Sequence, residues 1–328
     1  MNIYDIAEKS GVSIATVSRV LNNADNVRAQ TRERVLQVMK EAGYSPNPIA
    51  RSLSRGSMRM VGVLCTDIRD PFYADAVSYI EEHLREQNLT ALLRCTGSDP
   101  QDKRQALDYV IQQNVDAVIL VGSAFEEDSD NAHIAAIAER IPVILVNGCV
   151  DMPSVYCVHC DERGAVSDLA QLLIRRNRQR ILLLHGPKTY SCQQKIDGYM
   201  DAHAATGMAT DDARIVEVKR ELADINSCVK RLLVTGVSFD AVIATEDIIA
   251  IGAQKALQRI GLNMPIVGFN NSPIAQCCSP ELTTIDNEVE KMCSTALTML
   301  RDLLDGQPTE RCVTIQAHLV ERESFRYN

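Results

Sequence analysis

Residues 11–23 read GVSIATVSRVLNN, and the order of small, capping and apolar residues in this run decides the first element of the fold. Gly11 supplies the stop and turn after a preceding helix, because glycine takes left-handed backbone angles without a Cβ clash. Ser13 is set to cap a second helix that starts at Ile14. Val17, Val20 and Leu21 recur at helical spacing, as do Ile3, Ile6 and Ala7 before the turn and Val35, Leu36 and Met39 after it. Three short helices follow from this pattern, the first two as a helix-turn-helix. Thr31 is placed to cap the third, Gly43 ends it, and Pro46 and Pro48 block its continuation.

Working outward, charge separates this head from the rest. Residues 1–59 hold nine Lys or Arg against five acids, a surplus of four, in a 328-residue chain whose net charge is −9. The remainder therefore carries −13. A basic head on an acidic body suits polyanion binding by the head, with the body repelling non-specific contact. Hydrophobic residues make up 46% of the chain, ample for a core, and no apolar stretch approaches the roughly 20 residues of a membrane helix. The N-terminal MNIYDIAEKS has neither a basic leader nor an apolar run, so the expected compartment is the cytoplasm.

Beyond Val61, apolar runs of strand length (VGVLC, TALLRC, AVILV, PVILVN, RILLLHG, RIVEV, AVIAT, MPIVGF) alternate with amphipathic helical stretches. Strands apolar at nearly every position imply parallel sheets covered on both faces. There are enough for two doubly wound α/β units, with a break near VYCVHCDERGA at residues 155–165, where the alternation restarts. The late segments LTTI and CVTIQAHLVERESF are further strands, available to pass back between the units and make both discontinuous. The division expected is a head at 1–46, a linker at 47–59, and a body at 60–328. Within the body, one subdomain takes 60–158 with 287–317, and the other 159–286 with 318–328. A small ligand belongs in the cleft between them, outside the carboxyl ends of the strands.

YDIAEKSGVSIATVSRVLNN, followed by TRERVLQVMKEAGYSPNPIARSL, resembles the DNA-binding head and hinge of the LacI/GalR family of bacterial regulators. DPFYA after the first strand, GFNN after MPIV, and LTTID near the end extend the resemblance over essentially the whole chain. The resemblance implies a homodimer on pseudo-palindromic double-stranded operator DNA and a body of the type I periplasmic-binding-protein class. It also implies control by a small effector, a sugar or sugar derivative, and a repressor as the regulator. Ile14 and Ala15 fall at positions that face bases in the family; being apolar, they offer contact with thymine methyl groups. Ser13, Thr16, Ser18, Asn22, Thr31 and Tyr44 offer polar groups to phosphate or sugar. Arg19 either reaches a guanine edge or only neutralises phosphate. In the hinge, Ala50 and Leu53 share a helical face, and Leu53 matches the family's wedge between central base pairs.

For the effector, the resemblance implies Asp67, Phe72 and Tyr73 from the loop after the first strand, Asp161 at the start of the second unit, Lys195, Glu246 and Asn270. Phe72 or Tyr73 is available to stack on a sugar ring, or belongs to the core. Lys195 stands where the family usually has Arg, Asn270 where Asp is common, and Glu246 where Asn is frequent. Arg220 adds positive charge that favours an anionic effector, whereas Glu246 argues the other way.

Other classes fit less well. A transport-type sugar-binding protein would share the body but not the head. A nucleotide-dependent enzyme would need a GxGxxG or GxxxxGK[ST] loop after a strand, and His185-Gly186-Pro187-Lys188 is only a fragment of one. No catalysis, cofactor or metal is expected. The eleven cysteines read as reduced thiols, and Cys157-Val-His159-Cys160 has metal-like spacing but no second ligand pair in sequence to complete it.

Overall fold

The computed structural model describes residues 2–21, 26–43, 57–127 and 131–326. The chain divides into two compact units, residues 1–60 and 61–328.

The first unit consists of α1 (Ile3–Ser10), α2 (Ile14–Leu21) and α3 (Ala29–Glu41). Helices of 8, 8 and 13 residues are marginal alone in water, so their shared core holds them. That core is Ile6, Ala7, Val17, Val20, Val35 and Met39, the apolar positions of all three helices. Asn2 and Asp5 form a reciprocal capping box at the start of α1. Gly11 ends α1 with φ of 64°, a conformation that would strain any residue bearing a Cβ. The Ser13 hydroxyl accepts from the Thr16 N–H at 3.2 Å, which caps α2. Thr31 does not cap α3. The helix starts two residues earlier, with Arg28 at its cap position, and the Thr31 N–H already donates to the Arg28 carbonyl at 3.0 Å. Asn22, Tyr44, Ala50, Leu53 and most of the 47–59 hinge lie outside the described residues.

The second unit contains two six-stranded sheets. In chain order its elements begin β1 (Met60–Cys65), α4 (Pro71–Glu86), β2 (Thr90–Cys95), α5 (Pro100–Gln112), β3 (Ala117–Val121), α6 (Ala132–Ala138), β4 (Val143–Val146) and β5 (Val155–Cys160). They continue with α7 (Glu162–Arg175), β6 (Ile181–His185), α8 (Tyr190–Ala205), β7 (Ile215–Glu217), α9 (Leu222–Val234), β8 (Ala241–Ala244), α10 (Asp247–Gln258) and β9 (Ile266–Phe269). The last are α11 (Ile274–Cys277), β10 (Thr283–Asp286), α12 (Val289–Leu304), β11 (Cys312–Ile315) and β12 (His318–Val320). The first sheet runs β11-β5-β4-β3-β1-β2 and the second β12-β10-β9-β8-β6-β7. Pairing is parallel for β1–β3, β3–β4, β4–β5, β5–β11, β6–β7, β6–β8, β8–β9 and β9–β10, and antiparallel for β10–β12.

β3, β4, β6, β8 and β9 are buried at every position, which explains their unbroken apolar runs: helices cover both faces of a parallel sheet. TALLRC reads the same way but folds differently. It becomes β2 at a sheet edge, where no position is fully buried and Leu93 is exposed. VYCVHC is a strand, β5, paired between β4 and β11, and the chain passes toward the second sheet directly after it, within the stretch where the alternation restarts. CVTIQAHLV is split between the sheets, with β11 joining the first and β12 the second.

The chain therefore crosses from one sheet to the other three times: between β5 and α7, between β10 and α12, and between β11 and β12. Two crossings are tied directly by the Asp161 N–H donating to the Ile315 carbonyl at 2.9 Å. At the third, Asn287 is fully buried, and its amide donates to Asn270 Oδ1 at 3.1 Å. No helix among the described residues is long and apolar enough to cross a membrane.

Candidate functional sites: a reading helix and a ligand cleft

On α2, Val17 and Val20 turn into the three-helix core. Ile14, Ala15, Ser18 and Arg19 recur at i, i+1, i+4 and i+5 and so share the opposite face. Ser13, Ile14, Ala15 and Arg19 are exposed and Thr16 and Ser18 half-buried. Ile14 stays 41% exposed although its own unit offers an apolar core. The Thr16 hydroxyl is engaged with that of Ser13 at 2.9 Å, which fixes the start of the helix and leaves less of Thr16 to offer elsewhere. α2 carries no acidic residue, and Arg19 forms no ion pair with any described residue. An unobstructed cation beside exposed methyl groups suits a polyanion surface that displays apolar edges.

In the second unit, the carboxyl ends of strands from both sheets converge on an inner cavity of about 60 Å³. Its wall takes Phe72 and Tyr73 from the start of α4, Asn147 after β4, Ser191 and Lys195 from α8, Arg220 after β7, Glu246 after β8 and Asn270 after β9. Phe72 and Tyr73 stack edge to face, ring centres 5.3 Å apart, and both pack into the first sheet's core. Gly122 is required at this point: a Cβ there would meet the Tyr73 ring at 2.4 Å. Burial pushes the Tyr73 hydroxyl up to about 12, so it is a neutral donor at physiological pH.

A three-residue ion cluster closes the cavity. Arg220 Nε and Nη2 donate to the two Glu246 carboxylate oxygens at 2.5 and 2.8 Å, a bidentate fork. Arg220 Nη1 stands 3.4 Å from Asp70 Oδ2, on the loop between β1 and α4. The guanidinium thus joins a loop of the second sheet to a loop of the first. Burial opposes its charge, but the Glu246 carboxylate overrides this and raises Arg220 above the usual range. Burial raises Asp70 as well, against the pull of Arg220. Outside the cluster lies a wider space of about 620 Å³, lined by Asp67, Arg69, Ile248 and Ser272. Asp70, Phe72, Arg220, Glu246 and Asn270 line both spaces, so Arg220 and its partners form the partition between them.

Behind the cavity a second charge pair is wholly internal. Lys195 Nζ donates to Ser191 Oγ at 3.1 Å and the Thr245 carbonyl at 3.3 Å, and stands 3.3 Å from Glu162 Oε1. It also sits 3.9 Å from the centre of the Phe269 ring. The Ser191 hydroxyl in turn donates to Glu162 at 2.7 Å. Lys195 and Glu162 are 5% and 4% exposed, so all three ammonium protons are spent within the protein.

Six of the sequence-derived residues thus gather at the cavity: Phe72, Tyr73, Lys195, Arg220, Glu246 and Asn270. Two do not. Asp67 turns to the outer space and folds onto Arg69, whose hydrogen bonds hold its carboxyl down at about 2. Asp161 lines neither space; its carboxylate accepts the Gly164 N–H at 2.9 Å and caps α7. Asp70 falls within the loop from Asp67 to Tyr73 expected to face the effector but was not singled out, although DPFYA marks it as a helix cap; Ser191, Asn147 and Glu162 were missed. Glu162 gives no sequence signal at all, because its partner lies 33 residues away.

A support beneath the cleft was also not anticipated. Asp247 accepts from the Ser272 N–H at 2.7 Å, the Ser272 hydroxyl at 2.6 Å and the Thr284 hydroxyl at 2.5 Å, which anchors the loop carrying Asn270. Burial outweighs these bonds and pushes its carboxyl up to about 6.

Comparison with known proteins brings both sites together. Residues 2–47 match bacterial regulatory proteins of the lacI family, and residues 58–287 match the periplasmic binding proteins and sugar binding domain of the LacI family. An HTH-type transcriptional regulator of Lachnoclostridium phytofermentans is 40% identical over the full length of both chains. The HTH-type transcriptional repressor CytR of Escherichia coli K12 is 30% identical over 92% of this chain and 89% of its own. Among solved structures, the lac repressor dimer bound to operator and the anti-inducer ONPF superimposes with a TM-score of 0.87 over 99% of this chain and 98% of that one, at 22% identity.

Proposed function

Because this chain belongs to the LacI family of bacterial regulatory proteins and is a DNA-binding transcriptional regulator, we propose that it is a repressor whose hold on its operator is set by a neutral, hydroxyl-rich effector bound in the cleft. The observation that carries the effector reading is the Asp70–Arg220–Glu246 cluster, which spans the cleft and divides it in two. A small-molecule pocket needs about 300 Å³ or more, so the inner cavity of about 60 Å³ admits an effector only if Arg220 swings away and the two spaces merge. Vicinal hydroxyls are suited to take its place, donating to the Glu246 and Asp70 carboxylates while Phe72 and Tyr73 present ring edges. Arg220 and Lys195 already have carboxylate partners, and this disfavours a phosphate or uronate.

The effector in this scheme exchanges one cross-cleft bridge for another, and its differential affinity for the two arrangements is what shifts DNA binding. The regulator works in the cytoplasm and acts on DNA as a homodimer, like the lac repressor dimer bound to operator. Two copies of α2 enter successive major grooves, with Ile14, Ala15 and Arg19 against base edges and Ser13, Thr16, Ser18, Asn22, Thr31 and Tyr44 near the backbone. Residues 47–59 serve as hinge, with Leu53 wedged at the operator centre and Ala50 beside it. The body divides as 60–158 with 287–317, and 159–286 with 318–328.

Catalysis forms no part of this reading. The thiol–imidazole pair beside the cavity, Cys192 and His185 with Sγ 3.7 Å from Nδ1, is disarmed: His185 Nδ1 is engaged by the Gly186 carbonyl, and burial raises the Cys192 thiol. The test is to select bound DNA from a random pool with the full chain, then follow operator binding and thermal midpoint against neutral sugars, sugar phosphates and uronates. Neutral sugars should raise the midpoint and change operator affinity. Stabilisation by phosphates or uronates alone would overturn the neutral-effector reading, and selection of no common sequence would overturn the operator reading.

A further inference from the structure

At the outer edge of the first sheet, Cys312 on β11 pairs in register with Cys157 on β5, and Thr314 pairs with His159. Side chains two apart on a strand share a face, so all four point to one side of the sheet. The loop after β4 returns over this side and places Cys149 there. Cys149 Sγ lies 3.6 Å from Cys312 Sγ, and the ligand atoms of Cys149, Cys312 and His159 all fall within 4.8 Å of one another. We propose that Cys149, His159 and Cys312 form a binding site for a thiophilic divalent cation, zinc in the first place, at the β5–β11 edge.

The donor set is the argument for zinc. Two sulfurs and an imidazole nitrogen match the ligands zinc prefers, and three protein ligands with a fourth position toward solvent make an open, exchangeable site. Zinc–sulfur bonds of about 2.3 Å in a tetrahedron put two sulfurs about 3.8 Å apart. The observed 3.6 Å is close to that edge and far from the roughly 2.05 Å of a disulfide. The surroundings hold the ligands in place. Thr314 Oγ1 lies 3.1 Å from His159 Nε2, a partner that fixes the ring. The Glu126 carboxylate accepts the Cys149 N–H at 3.1 Å and adds negative charge beside the thiols. Arg311 Nη2 donates to Asp151 Oδ1 at 2.6 Å, which ties the Cys149 loop to the start of β11 before any ion arrives. Ligand thiols must lose their protons to bind a metal, so binding releases protons and tightens as pH rises.

The site is also placed to be felt in the cleft. Cys149 follows Asn147, which lines the inner cavity, by two residues, and Cys312 opens the strand that leads into the β11–β12 crossing. An ion held between them ties the cavity wall to a hinge segment.

The experiment is titration of the reduced, metal-free full chain with Co(II), then displacement by Zn(II). One equivalent of Co(II) should produce tetrahedral visible absorption with a thiolate charge-transfer band, abolished by Zn(II). Cys312→Ser and His159→Gln should each weaken binding about tenfold or more, and Thr314→Val by about tenfold. Unchanged metal-free thermal midpoints establish that these variants fold. The Cys277→Ser/Cys278→Ser double variant, which alters cysteines elsewhere, should titrate like the wild type. No charge-transfer band, or a band that survives in Cys312→Ser and vanishes in the Cys277/Cys278 variant, would overturn the site.

Discussion

The reading face of α2 and the wall of the cleft are both built from a few polar residues, yet they keep their charges in opposite ways. On α2, Arg19 stands exposed and without an ion-pair partner among the described residues, and the apolar Ile14 is left in solvent. In the cleft each cation is matched: Arg220 by Glu246 and Asp70, Lys195 by Glu162. A surface that must bind a polyanion keeps its donors free and gains by releasing counterions. An enclosed cleft cannot leave a charge unpaired while it waits for a ligand, because desolvation alone would cost several kcal/mol. Its ligand must therefore win partners from residues that already have them.

The largest expected effect tests the internal pairing. Lys195→Met leaves Glu162 buried and unpaired and should destabilise the chain by about 3 to 5 kcal/mol in urea unfolding. Lys195→Met/Glu162→Leu should recover much of the loss. A single variant as stable as the wild type would mean that Lys195 is an available ligand contact after all.

Asp247 gives the next effect, through pH. Its folded value of about 6 lies above the ordinary 3.8, so the protonated form is favoured in the fold. The resulting stability is fully present below about pH 4 and is lost as pH rises through 6, a change of about 3 kcal/mol. Asp247→Asn should remove this component from the stability profile between pH 4 and 7; an unchanged profile would show that the buried carboxyl does not titrate there.

Arg19→Ala probes the free side of the comparison. It should relax preference at one base position per half-site by about 1 to 3 kcal/mol and change stability by less than about 0.5 kcal/mol. A uniform loss over all sequences in a binding-site selection would make Arg19 a phosphate contact.

Arg220→Ala carries the smallest of these headline effects. Its side chain is 46% exposed, so solvent screening limits the loss to about 1 kcal/mol or less. The readout that matters is effector association, which should quicken once the partition is gone. A slower association would show that Arg220 holds the effector rather than excluding it.

The same contrast explains what was legible in the sequence. Local signals spoke plainly: Gly11 and Ser13 mark the turn, and the apolar spacing of three helices gives the head core. Central strands announced themselves because both faces are covered, whereas TALLRC, apolar in composition, became an edge strand that only pairing order reveals. In the cleft, residue type and position pointed to six residues that line one cavity, but not to what occupies them. Lys195 looks like a ligand contact until Glu162 is found beside it, and Asp161 looks like one until Gly164 claims it. Cys149 and Cys312 stand 163 residues apart, so no spacing rule joins them to His159; the register of β11 against β5 does.

The three crossings between the sheets have a mechanical meaning. One tether would let the two halves swivel in any direction, and two would leave only rotation about the line that joins them. The third crossing resists that rotation, because Asn287 is buried and hydrogen-bonded to the loop that carries Asn270. The joint is therefore a sprung one: a ligand that turns one half against the other works against the packing of a single buried amide.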